Sequence, residues 1–200
     1  MPNIVVYGAP QGTSFRVHWM LHEIGLPYER KPLNMALGEH KTAEFLALNP
    51  MGQVPVIIVD DVVLTESIAI THYLAAKFKP ELLGATLEDQ AHALRFSVWN
   101  MLNVNEHFGM LNRPKWSGVE LAPEVLASTL TALAKYLPVL EDHLNGSDWI
   151  LGDAFSIADI DLRATYMYGE GANFDFSPYP NIEAWMKRTS ERPSFIAAKA

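Results

Sequence analysis

Three stretches of this chain carry residue types that could do chemistry together. Glu66 and Ser67 precede a run with helical spacing (Ile68, Ala69, Ile70, Tyr73, Leu74), for which Ser67 is a natural N-cap. They bring a carboxylate and a hydroxyl to a helix N-terminus, whose free N–H groups and dipole favour an anion. Upstream, Val54-Pro55 opens a β-branched run. A proline there removes a ladder bond, and an X-Pro bond can be cis at small cost, which would turn the Val54 N–H and C=O outward as a pairing edge. Together these features would hold a short peptide, its extended backbone on Val54, its α-carboxylate on Ser67 and its amino group on Glu66. Either one alone also reads as a strand start or a helix cap; their conjunction points to a ligand. The third stretch, Gln11-Gly12-Thr13-Ser14, follows a strand-like Ile4–Tyr7, and open α/β sheets place ligands at the carboxyl ends of strands.

The elements that must position these groups follow from pattern and punctuation. Thr13 and Ser14 are candidate caps for a helix from about Phe15 to Ile24, stopped by Gly25-Leu26-Pro27. Tyr28 to Leu33 reads as a second strand, and Thr42 to Leu48 as a short helix. Asn49-Pro50-Met51-Gly52 is a turn, and Val54–Val59 and Val62–Leu64 form a hairpin across Asp60-Asp61. The order is β-α-β, α, β-β-α over residues 1–78, a thioredoxin-like arrangement. Residues 79–86, with Pro80 and Gly84, read as a linker. From Leu87 the strand signals vanish, so 87–200 reads as an all-α domain. A long helix spans Leu87 to Leu111, a loop Pro114 to Ala122, and another helix Pro123 to Leu144, ended by Asn145-Gly146. Ser156 to Asp159 is a capping box, with Phe155 placed to staple onto Ile160, and prolines 180 and 193 set off two short helices.

Composition narrows the chemistry. At 49% hydrophobic and 19% charged the chain is globular rather than disordered. A formal charge of −8 argues against nucleic acid as a main partner. No apolar run reaches a membrane span and no leader is evident, so the expectation is a soluble, cytoplasmic protein with no membrane partner. Cysteine is absent, which rules out disulfides, thiolate metal sites and a protein nucleophilic thiol. His18 and His22 have the spacing of a metal pair but no third ligand accompanies them, so no metal site is expected.

The motifs resemble those of the cytosolic glutathione S-transferases. N-P-x-G-x-V-P is met as Asn49 to Pro55, E-S-x-A-I-x-x-Y-L as Glu66 to Leu74, R-V-x-x-x-L-x-E-x-G-L-P-Y-E as Arg16 to Glu29, and G-x-x-x-S-x-A-D as Gly152 to Asp159. The likeness covers nearly the whole chain and is to bacterial, serine-type members (theta, zeta, phi) rather than cysteine-type ones. It implies that 1–78 binds glutathione as co-substrate and that the helical half holds a small hydrophobic electrophile to which the glutathione thiol is conjugated. It also implies a homodimer built on the helices after Glu66 and after Thr86. Catalysis would consist of stabilising the glutathione thiolate, and here the chain departs from the pattern. The activating serine of those classes lies five positions before the arginine matching Arg16, which is Gln11, an amide donor. Thr13 is then the first candidate for the sulfur contact and Ser14 the second, with Tyr7 a third by its likeness to the tyrosine-type classes. Besides Gln11, the implied glutathione-binding residues are His40, Gln53, Val54, Pro55, Glu66 and Ser67. Trp99, Asn103 and His107, at fourfold spacing, mark a region for the hydrophobic substrate, with Trp116, Tyr166 and Tyr168 further candidates. Gln11 also keeps open an alternative, a glutathione-binding protein with little turnover, used for sensing, storage or scaffolding.

Overall fold

The computed structural model describes residues 1–200, in two compact units: Met1–Pro80 together with Pro193–Ala200, and Glu81–Arg192. The first unit is built on a four-stranded sheet in the order β2-β1-β3-β4. Strand β1 (Ile4–Tyr7) pairs in parallel with β2 (Glu29–Lys31) and antiparallel with β3 (Val56–Val59), which pairs antiparallel with β4 (Val62–Thr65). β1 and β3 are nearly continuous β-branched runs because both their faces are covered. The helices are α1 (Ser14–Ile24), α2 (Ala43–Leu48) and α3 (Ser67–Phe78). The order β-α-β-α-β-β-α makes this unit thioredoxin-like.

The same unit recruits a helix from far along the chain. α9 (Pro193–Lys199) packs on α1, with the Phe195 ring edge-on to Phe15 at 5.2 Å and to Trp19 at 5.0 Å. The Trp19 indole donates to Ser194 Oγ at 3.0 Å, and the Ser194 hydroxyl donates in turn to Glu23. Residues 87–200 therefore do not form one body: 193–200 join the first unit, because Phe195 finds its apolar partners on α1.

The second unit is entirely helical: α4 (Leu87–Asn100), α5 (Glu106–Ser117), α6 (Pro123–His143), α7 (Ile157–Gly171) and α8 (Pro180–Ser190). A π-turn, Met101–Asn105, joins α4 to α5 without a break. Helix α5 runs through Pro114 to Ser117, where a loop is expected from the sequence. A proline forfeits one helical bond, and the next stop is Gly118, left-handed at φ 68°, whose N–H closes onto the Pro114 carbonyl at 2.9 Å. No helix is long and apolar enough to cross a membrane.

The capping box forms as expected. Asp159 takes the Ser156 backbone N–H at 2.8 Å and its hydroxyl at 3.0 Å, the Ile150 N–H at 3.0 Å, and the Trp185 indole N–H at 2.8 Å. Burial outweighs these donors and pushes its carboxyl up to about 6. A folded value above the unfolded one means that the native state binds the extra proton. The stabilisation from this group is thus complete below about pH 4 and lost as pH rises through about 6. The stability deficit of Asp159→Asn relative to the parent, measured by urea unfolding, should accordingly shrink between about pH 4 and pH 7; a deficit that grows over that range contradicts the assignment.

Candidate active site

The loop between β1 and α1 is a tight backbone device. Gly8 leaves the sheet at φ +120°, its N–H donating to the Lys31 carbonyl at 3.1 Å. The chain turns through Ala9 to Gly12 (φ 58°) and enters α1 with Thr13 already in right-handed geometry. Helix α1 thus starts one residue earlier than the sequence suggests, and neither hydroxyl caps it. Thr13 Oγ1 donates instead to the Val54 carbonyl at 3.3 Å. Ser14, the first helical residue, is 1% exposed and its hydroxyl has no hydrogen-bond partner.

That hydroxyl borders a cavity of about 270 Å³ lined by Gly8, Ala9, Gln11, Gly12, Ser14, Leu33, Met35 and Val54. Leaving a buried polar group unpaired costs about 1–3 kcal/mol, so a hydroxyl kept this way beside a cavity asks for a ligand atom. The cavity depends on Gly8 having no side chain. A Cβ there would stand 2.5 Å from Ser14 Oγ and 3.1 Å from Val54 Cβ.

The structure separates Tyr7 from this group. Successive strand residues point to opposite faces; Tyr7 packs on Phe45 of α2 at 5.9 Å, with Lys31 Nζ 5.5 Å from its ring centroid. It lines a different cavity, of about 210 Å³, with Thr42, Phe45 and Leu48. Gln11 is exposed at the rim of the Ser14 cavity. His18 has its ring nitrogens on Tyr28 Oη and the Gly8 carbonyl.

At the start of α3 the cap position belongs to Glu66, not Ser67. Glu66 sits at φ 65°, ψ 110°, with an exposed side chain, while Ser67 is the first helical residue and buried. Holding a non-glycine residue in that conformation costs about 1–3 kcal/mol, and the side chain it carries stays exposed at the start of α3 without capping it. Ser67 Oγ accepts from the Arg16 guanidinium at 3.2 Å, and its own proton is left for an acceptor. Arg16 lies two residues after Ser14 and is fully buried, so this bond ties the first turns of α1 and α3 together. Sequence reasoning missed it; the available signal was a cation within an otherwise apolar helix, which needs a partner.

The Val54–Pro55 peptide is cis, with Pro55 just ahead of β3. Gln53 is exposed, and its carbonyl accepts from the Asn49 side-chain amide at 2.7 Å. His40 lies in the 3₁₀ turn Glu39–Lys41 with a buried, unpartnered Nδ1, and a Cβ on Gly52 would stand 3.1 Å from its carbonyl. The His40 turn and the segment leading to Gln53 are therefore neighbours.

Trp99, Asn103 and His107 do not form a comparable cluster. The π-turn interrupts the helix between them, the Asn103 amide donates to the Trp99 carbonyl at 2.8 Å, and His107 stacks on Tyr136 at 6.3 Å. Of the further candidates, Trp116 is exposed and Tyr166 fully buried in the core.

A thioredoxin-like unit with a buried hydroxyl and a strained acidic cap at two linked helix N-termini, continued by a helical unit, places the chain in the class of two-domain proteins that join a thioredoxin-like fold to a helical one. Comparison with known proteins makes the kinship specific. Residues 2–76 match the N-terminal domain of glutathione S-transferases and residues 114–193 the C-terminal domain. Glutathione S-transferase 3 of Zea mays is 35% identical, over 98% of this chain and 92% of its own. A glutathione S-transferase from Pseudomonas fluorescens has 30% identity and a TM-score of 0.88, over 96% of each chain. A glutathione S-transferase-I with bound lactoylglutathione has 30% identity and a TM-score of 0.88, over 98% of each. The chain belongs to the glutathione S-transferase family.

The glycine that opens the cavity is open to a simple test. Gly8→Ala forces a β-carbon against Ser14 Oγ at an unfavourable φ, and should lower unfolding stability by about 1–3 kcal/mol in denaturant titrations.

Proposed function

We propose that this protein is a glutathione transferase that joins the glutathione sulfur to small hydrophobic electrophiles, with the Ser14 hydroxyl as donor to the sulfur. The observation that carries this reading is Ser14 itself: buried, unpartnered, at the first turn of α1 and bordering the cavity. Thr13, whose hydroxyl is engaged by Val54, yields first place to it. A cysteine-type thiol has a pKa of about 8.5 and is mostly protonated near neutrality. A hydroxyl donor and the free N–H groups of a helix N-terminus both favour the charged sulfur, and each unit of lowering is about 1.4 kcal/mol. The thiol proton passes to solvent, the sulfur electron pair forms the new C–S bond, and the leaving group departs with its own pair.

Glutathione then lies along the first unit. Its γ-glutamyl head takes the Glu66 carboxylate and the Ser67 hydroxyl with the α3 N-terminus, its middle runs by Val54 and Pro55, and its glycine end reaches His40 and Gln53. The electrophile is assigned to the second unit in the region of Trp99 and His107. The lack of cysteine removes the cysteine-type branch of the family, and the relatives include plant and bacterial members alike. Gln11, standing where those classes carry their serine, favours the alternative of binding without efficient turnover. Turnover of an activated aryl chloride by the parent protein decides between them, and Ser14→Ala tests the donor: it should raise the pKa of the bound thiol by about one to two units and slow conjugation in step. An unchanged thiol pKa removes Ser14 from the chemistry.

A homodimer in the cytoplasm belongs to the same proposal. Leu87, Leu94, Val98 and Leu102 form an exposed apolar stripe along α4 and its π-turn, and Val62 and Val63 are exposed on the edge strand β4. A second copy of the chain would cover these faces. Analytical ultracentrifugation should give twice the chain mass of 22.3 kDa, and Leu94→Glu with Val98→Glu should halve it.

A further inference from the structure

A buried hydrogen-bond chain reaches the Ser14 loop from the surface of the first unit. His18 is fully buried one helical turn beyond Ser14. Its Nε2 lies 3.0 Å from the Gly8 carbonyl and its Nδ1 2.9 Å from Tyr28 Oη. A carbonyl can only accept, so Nε2 carries the proton and Nδ1 accepts from the Tyr28 hydroxyl. Tyr28 Oη accepts from Arg30 Nε at 3.2 Å, and Arg30 Nη2 reaches His22 Nε2 at 3.3 Å. Donation runs one way, from Arg30 through Tyr28 and His18 to Gly8. Burial lowers the His18 pKa, and Arg30 and His22 add to it against the opposing pull of the Gly8 carbonyl, which favours the neutral ring of this tautomer.

We propose that His18 is a positioning residue for the thiol site: by fixing the Gly8 carbonyl it holds the Gly8 backbone at the separation that leaves the Ser14 hydroxyl buried, unpartnered and open to the cavity. Gly8 has two polar backbone groups. The sheet holds one, through Lys31, and His18 holds the other. Released from His18, the carbonyl can turn, and Gly8, which has no side chain to resist, can close the gap to Ser14 or carry it off line. This inference rests on the assignment of Ser14 to the sulfur, and it adds a group that touches neither glutathione nor electrophile.

The test compares His18→Leu, His18→Gln, Tyr28→Phe and Ser14→Ala in the full-length protein, with glutathione and a nitro-activated aryl chloride. For each variant, kcat, the KM for glutathione and the pKa of the bound thiol from thiolate absorbance are read. His18→Leu should lower kcat by about tenfold or more, raise the thiol pKa and move the KM by less than threefold. His18→Gln, whose amide can donate to Gly8 and accept from Tyr28, should recover most of the loss. Tyr28→Phe, which deletes one oxygen and keeps the fold even where His18→Leu does not, should lower kcat about fivefold. Equal losses in His18→Leu and His18→Gln, or a thiol pKa unmoved in His18→Leu and Tyr28→Phe, overturn the positioning role and leave His18 as packing. A thiol pKa unmoved in Ser14→Ala instead overturns the reading of Ser14, and it is told apart because it does not involve His18.

Discussion

A guanidinium cannot shed its charge, so burying one obliges the fold to bring acceptors to it. Arg16 is such a group, and its bond to Ser67 sets the first turns of α1 and α3 side by side. The candidate site hangs on that constraint. Two residues before Arg16 stands the unpartnered Ser14 hydroxyl, and one residue before Ser67 the strained Glu66. Without the tie, two helix N-termini would each offer a separate positive end; with it, the two ends lie side by side.

The second unit solves a similar problem by enclosure. Asp159 is surrounded by four N–H or O–H donors drawn from its own cap, from Ile150 and from Trp185. Asp161 takes the Ser97 hydroxyl at 2.7 Å, and Arg163 is shared among Thr189, Ser190 and Glu170. These three ionisable residues alternate along α7 and pin it to its surroundings, so the unit is specified by polar contacts inside an apolar helix bundle.

Much of this was legible in the residues. The β-branched runs, the Asp60-Asp61 turn, the Ser156–Asp159 box and the break after Leu144 each rest on local chemistry, and each appears within a residue or two of its expected place. What was not legible depends on contacts far apart in the chain. Thr13 and Ser14 are adjacent hydroxyl residues with the same helix-capping preference, and only the nearness of Val54 decides which is spent. Tyr7 is separated from the cavity by strand parity, which is readable, and assigned to α2 by Phe45, which is not. Pro114 looked like a stop, but one lost bond did not outweigh continued helix packing. The partners of His18, Tyr28 and the Gly8 carbonyl, lie on other elements, and its spacing from His22 gave no sign of them.

The placement of α9 bears on how the chain acquires its structure. The aromatic edge-on trio of Phe15, Trp19 and Phe195 cannot assemble until a segment separated from α1 by the whole second unit has been synthesised. During translation the emerging first unit must wait with the apolar side of α1 uncovered, a window in which chaperone capture competes with folding. Its final closure is a long-range event, slow by topology, so the packing of the first unit is complete only after the helical unit has been made.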